Sequence, residues 1–92
     1  KEVRPQLSGI YLFGSRAKGT ARPDSDYDFL IVVPKKDAGI KDRLYDAAVD
    51  VLLENGADLS LKVINQADFD RMRRISAPFI LNVLNEGIKV GQ

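Results

Sequence analysis

13-FGSRAKGTARPDSDYDFLIVV-33 is the stretch on which the reading of the fold turns. It reads as a strand end, a Gly-Ser turn opening a short helix, a loop through Pro23, and a second strand starting with two acids. Strand side chains alternate faces, so in a strand from Asp26 to Val33 the carboxylates of Asp26 and Asp28 project the same way. Leu30 and Val32 share that face, and Tyr27, Phe29, Ile31 and Val33 line the other. Beyond the acids both faces are apolar, which predicts a central strand in a sheet covered on at least one side. Two like charges so close are costly to hold together, and a divalent cation bridging them removes the cost. The pair therefore reads as half of a metal-assisted phosphate site.

Upstream, Ile10 to Phe13 is a short apolar run with the character of a buried strand. Gly14-Ser15 breaks it, and Arg16 to Thr20 has room for one or two helical turns. A glycine between strand and helix lets backbone N–H groups face an anion, and the Ser15 hydroxyl can donate to a phosphate oxygen. Gly14 to Thr20 has the glycine spacing of a Walker A loop, but Thr20 stands where the lysine is needed, so that reading fails. Arg16, Lys18 and Arg22 lie between the turn and the acids, placed to neutralise a polyphosphate. The leading segment KEVRPQLSG is polar, and Pro5 argues against a helix through it.

Downstream, Pro34 ends the acid-bearing strand and Asp37 to Gly39 reads as a turn. Ile40 to Asn55 is an amphipathic helix, with Ile40, Leu44, Ala47, Ala48, Val51 and Leu52 at helical spacing and Asn55-Gly56 closing it. Leu59 to Ile64 alternates as a third strand, with Leu59, Leu61 and Val63 opposite Asp58, Ser60 and Lys62. Gln66 to Arg74 is a helix with Phe69 and Met72 inward. Ser76 is the expected cap of a last helix, Ala77 to Glu86, with Phe79, Ile80, Val83 and Leu84 as its apolar face and Gly87 as its stop. Ile88 to Val90 adds an edge strand.

The 92 residues suit one domain, 1–92, with room for a single core and an open groove rather than a deep pocket. With no cysteine and no histidine, thiolate and imidazole metal sites and histidine bases are excluded, so carboxylates must carry any such chemistry. Hard oxygen ligands suit Mg²⁺ or Mn²⁺. A net charge of +1 argues against bulk nucleic-acid binding. No apolar run is long enough to span a bilayer and no signal-peptide pattern is present, so the expectation is cytoplasmic with no membrane partner.

Gly14-Ser15-Arg16-Ala17-Lys18-Gly19, then Ser25-Asp26-Tyr27-Asp28 and an apolar strand, resembles the signature of the DNA polymerase β-like nucleotidyltransferase superfamily. It is most similar to the minimal nucleotidyltransferase branch, and the similarity continues through Asn65 to Arg71 and Leu84 to Ile88. The resemblance implies an α/β (α+β) fold, a small mixed β-sheet packed with helices. It implies that Gly14, Ser15, Arg16, Lys18 and Ser25 bind nucleotide and phosphate, and that Asp26 and Asp28 bind Mg²⁺ or Mn²⁺. Relatives begin with a longer helix, which implies a shortened N-terminus here.

The implied reaction moves a nucleoside monophosphate, AMP from ATP, to an acceptor. In the minimal branch that acceptor is often a HEPN-type helical protein, modified by its antitoxin. One position departs from the family pattern. A third carboxylate is expected on the next strand, and the matching position holds Ser60. Asp58, two residues earlier on the same face and so roughly 6–7 Å away along the strand, is the candidate substitute as a catalytic residue. Lys62, on the same face, adds positive charge. The alternative expectation is therefore a catalytically weakened nucleotide-binding module that neutralises its partner by binding alone.

Overall fold

Alternate residues of β2 (Tyr27–Val33) leave the backbone on opposite sides, and each side meets its own apolar cluster. Leu30 and Val32 pack with Phe69, Ile80 and Val83, while Ile31 and Val33 pack with Ile40 and Leu44. The computed structural model describes residues 7–23, 25–35 and 38–90. Along the chain β2 is preceded by β1 (Gly9–Phe13) and α1 (Ser15–Lys18). It is followed by α2 (Ala38–Asn55), β3 (Leu59–Asn65), α3 (Gln66–Arg74), α4 (Pro78–Glu86) and β4 (Ile88–Lys89). The sheet order is β3-β2-β1-β4. β1 runs antiparallel to β2 and β4, and β2 runs parallel to β3 with α2 as the crossover. The sheet is mixed, as expected, and is covered on both faces, by α3 and α4 on one and by α2 on the other. β3 forms one edge, with Lys62 exposed in mid-strand.

Local chemistry explains most of the boundaries. β3 passes into α3 without a loop because Asn65, its last residue, caps that helix by accepting from the Asp68 N–H at 2.7 Å. Gly87 ends α4 as expected, but for reasons of space and not of left-handed backbone. Its φ is −80°, and a Cβ there would lie 2.9 Å from the Leu12 carbonyl oxygen. Phe13 and Phe79 meet edge to face at 5.3 Å, fixing the end of β1 against α4.

Several expectations need correction. α2 starts at Ala38, so Gly39 is helical, while Asp37 and the lead-in at 1–6 lie outside the described residues. Only Ile40 and Leu44 of the expected α2 face are buried; Ala48 and Val51 are half-buried, and Ala47 and Leu52 are exposed. The cluster beneath α2 is completed by Leu7, Ile10, Phe29, Leu61 and Val63. Tyr45, Val49, Leu52 and Leu53 are left as an exposed stripe, with Leu53 at 78%. Helical spacing reports how wide an apolar arc is, not how far along it the sheet reaches. Leu84 of α4 is likewise exposed.

Ser76 does not cap α4. Pro78 holds the first helical position and forces the residue before it to be extended, so Ala77 becomes the N-cap at φ −59°, ψ 131°. Ser76 instead closes α3 from the left-handed region, at φ 55°. Its N–H donates to the Arg73 carbonyl (3.1 Å) and the Ala77 N–H to the Met72 carbonyl (2.9 Å), a Schellman ending with serine in the glycine position.

Two stability measurements check this account. Ile80→Ala, at a fully buried position, is expected to cost about 2–5 kcal/mol in urea denaturation, while Leu53→Gln stays within about 0.5 kcal/mol of the parent. Ser76→Gly removes the left-handed penalty and is expected to raise stability by up to about 1 kcal/mol in the same assay.

Candidate active site

The site begins where β1 stops. Phe13 pairs with Asp28 across the antiparallel ladder, and the chain then turns at Gly14 into α1. Gly14 has φ 78° and ψ −159°, a combination that essentially only glycine tolerates. A Cβ on Gly14 would lie 2.5 Å from the Asp28 Oδ2, so the absent side chain is the space that the carboxylate fills. The turn is closed by the Gly14 carbonyl, which accepts from the Ala17 N–H (3.1 Å) and the Lys18 N–H (3.2 Å). α1 has four residues, so an anion here would rely on local N–H groups and the Ser15 hydroxyl more than on a macrodipole.

The acids stand at the open end of β2. Asp28 is half-buried, and Asp26 is exposed one residue before the strand begins. On the neighbouring parallel strand Ser60 is in register with Asp28, about 4.8 Å away by the normal strand spacing. The Tyr27 N–H donates to the Asp58 carbonyl at 2.9 Å, which sets Asp58 beside the start of β2, with its residue exposed. Among the described residues no three of His, Cys, Asp and Glu group closely enough to hold a metal. Asp58 therefore does not complete a three-carboxylate cluster with the pair. Two carboxylates at an open strand end still fit Mg²⁺, which is commonly held by one or two carboxylates, with substrate phosphates and water filling its octahedron.

The basic residues part company. The Arg16 guanidinium donates to the Ser25 carbonyl (2.8 Å from Nη2, 3.3 Å from Nε) and to the Pro23 carbonyl (3.2 Å), and it lies 4.2 Å from the Tyr27 ring centroid. The Ser25 hydroxyl accepts from the Arg22 N–H at 2.9 Å. The Lys18 ammonium reaches Glu86 of α4 at 3.3 Å, both side chains being 53% exposed. An ion pair this exposed contributes at most about 1 kcal/mol, so it does not withhold Lys18 from a phosphate. Beside the pair is a cleft of about 160 Å³ lined by Phe13, Gly14, Lys18, Phe79, Asn82 and Glu86. Asn82 and Glu86 were not among the residues that the sequence pointed to. The available signal was their spacing with Phe79 along one side of α4.

The nucleotidyltransferase domain profile matches residues 1–90, and the chain belongs to that family. Over 81 residues it is 30% identical to spectinomycin 9-adenylyltransferase of Enterococcus faecalis, a match covering 88% of this chain and 28% of that enzyme. A crystal structure of a toxin-antitoxin with AMP-PNP superposes with a TM-score of 0.63 at 24% identity, covering 95% of this chain and 62% of that one. The structure of a tri-AMPylated Shewanella oneidensis HEPN toxin with its MNT antitoxin gives a TM-score of 0.52 at 20% identity, over 98% and 60% of the two chains. These structural likenesses show a shared fold, a small mixed sheet packed with helices, as the motif resemblance implied.

The geometry of the turn is open to a paired test. Gly14→Ala and Gly19→Ala both place alanine at φ 78°, but only Gly14 has a neighbour within 4 Å of the new Cβ. Each is expected to cost about 1–3 kcal/mol on thermal unfolding. Only Gly14→Ala should displace the Asp28 carboxylate, read as a change in its ¹³C NMR shift.

Proposed function

We propose that residues 1–92 act as one nucleotidyltransferase domain that transfers AMP from ATP to an acceptor, with Mg²⁺ or Mn²⁺ held by Asp26 and Asp28. The observation that carries this reading is the contact of Asp28 with Gly14, which brings a metal-type carboxylate against an anion-type turn. Membership of the nucleotidyltransferase domain family supports the reaction class. The chain spans 28% of the length of its adenylyltransferase relative, so the activity of that whole enzyme is not carried over.

In this reading Gly14 and Ser15 hold the phosphates through backbone N–H groups and the hydroxyl. Lys18 exchanges Glu86 for a phosphate oxygen at little cost. Arg16 and Ser25 shape the rim between the turn and the acids. The metal supplies charge neutralisation at the phosphates. Transfer forms a bond from an acceptor oxygen to the α-phosphorus and breaks the α–β phosphate bridge, releasing pyrophosphate. Asp58 is the candidate to take the acceptor proton. The acceptor we favour is a HEPN-type protein, because the fold is shared with an antitoxin whose toxin partner is AMPylated.

One observation favours a second reading. Ser60 faces Asp28 in register, where a carboxylate would be expected to serve chemistry. A domain that binds Mg-ATP and neutralises its partner by occlusion would need no third acid.

Incubation with labelled ATP, Mg²⁺ and a HEPN-type candidate separates the two. Under the first reading label enters the partner, and Asp26→Asn or Asp28→Asn lowers transfer by more than about 10²-fold. Label transfer that survives both substitutions would sink the assignment of the acids. Normal ATP affinity without transfer, with neutralisation indifferent to Asp28→Asn, would favour the occluding module.

A further inference from the structure

Arg16 lies in the nucleotide-binding motif, yet its guanidinium faces main-chain carbonyls of the chain itself. Three hydrogen bonds run to Ser25 and Pro23, and the guanidinium carbon lies over the Tyr27 ring. Arg16 directly follows Ser15 of the phosphate turn. Ser25 directly precedes Asp26, and Tyr27 stands between Asp26 and Asp28. One side chain thus grips the backbone before Asp26 and the ring after it from a base beside the turn. Asp26 is exposed and lies outside the ladder of β2, so strand pairing does not fix it. The Arg22–Ser25 turn, closed by the Ser25 N–H to the Arg22 carbonyl (2.9 Å) and by the Ser25 hydroxyl, gives the guanidinium a formed object to hold.

We infer that Arg16 is a positioning residue for the acid pair: it holds Pro23, Ser25 and Tyr27 so that Asp26 stands beside Asp28 before metal and nucleotide arrive. This rests on the reading of Asp26 and Asp28 as the metal-nucleotide ligands. The role demands a planar fork that can reach two carbonyls while stacking on a ring. A lysine keeps the charge and loses the fork. A phosphate contact would have the opposite preference, since an ammonium serves it well as a point charge.

The test compares wild type, Arg16→Lys, Arg16→Ala and Tyr27→Leu, each first checked for native circular dichroism. Amide hydrogen exchange without nucleotide should be faster over 19–26 in Arg16→Lys, nearly as much as in Arg16→Ala, and less so in Tyr27→Leu, with β1 and α4 unchanged. Mn²⁺ affinity in the presence of ATP, read by electron paramagnetic resonance, should fall about tenfold or more in Arg16→Lys, while affinity for metal-free ATP is retained. If Arg16→Lys matches wild type in exchange and in Mn²⁺ affinity, and Arg16→Ala loses metal-free ATP affinity, Arg16 is a phosphate ligand and the inference is overturned. Wild type that binds no Mn²⁺-ATP would overturn the functional reading itself, and the coupling with it. Exchange that is unaltered in Arg16→Ala overturns the loop clamp even where metal binding holds.

Discussion

The parity of β2 governs the molecule. Leu30 and Val32 fill one core, Ile31 and Val33 the other, and neither set can be exposed without emptying a cluster. A slip of one residue would exchange the faces, so burial holds the strand in register. Asp28 has the same parity as Leu30, and it therefore emerges on the side of α3 and α4, against Gly14. The position of the carboxylate is a by-product of hydrophobic packing two residues further on. Nothing polar has to be buried to achieve it, and among the described residues no buried polar side-chain atom is left without a partner.

Much of this was legible because the informative signals were local and periodic. The alternation from Tyr27 to Val33 specified both faces, and Gln66 to Arg74 emerged with the expected bounds and with Phe69 inward. What escaped was whatever depended on distance in sequence. The bridge from Lys18 to Glu86 joins two elements whose proximity follows only from the sheet order. The bonds of Arg16 to the Ser25 and Pro23 carbonyls likewise depend on a loop that folds back over it, which its motif does not announce. Ser76 shows a competition between neighbours: it reads as a cap, and Pro78 moves the cap to Ala77. The uncovered half of α2 was illegible for a different reason, since the reach of the sheet beneath a helix has no local signature.

The site is made of weak parts used together. A four-residue helix, an exposed ion pair, an exposed aspartate and a half-buried one would each count for little alone. Their convergence follows from two adjacent antiparallel strands ending at the same rim, so that the turn after β1 and the start of β2 must meet. The parallel partner β3 brings Ser60 and Asp58 to that rim as well, and there the acid supply thins. Gly14 follows β1 and Asp28 lies in β2, whereas Ser60 lies in β3 and Asp58 just before it.

The exposed edge on β3 has a consequence of its own. An edge strand offers unpaired backbone groups to any passing chain, and a small mixed sheet has few means of hiding them. Lys62 sits exposed in the middle of that edge. A strand that tried to dock there would have to bring its own backbone against a solvated ammonium. The same lysine that stands two residues from Ser60 on its strand thus discourages self-association into extended sheets, and protection of the edge competes with acidity for one side of a single strand.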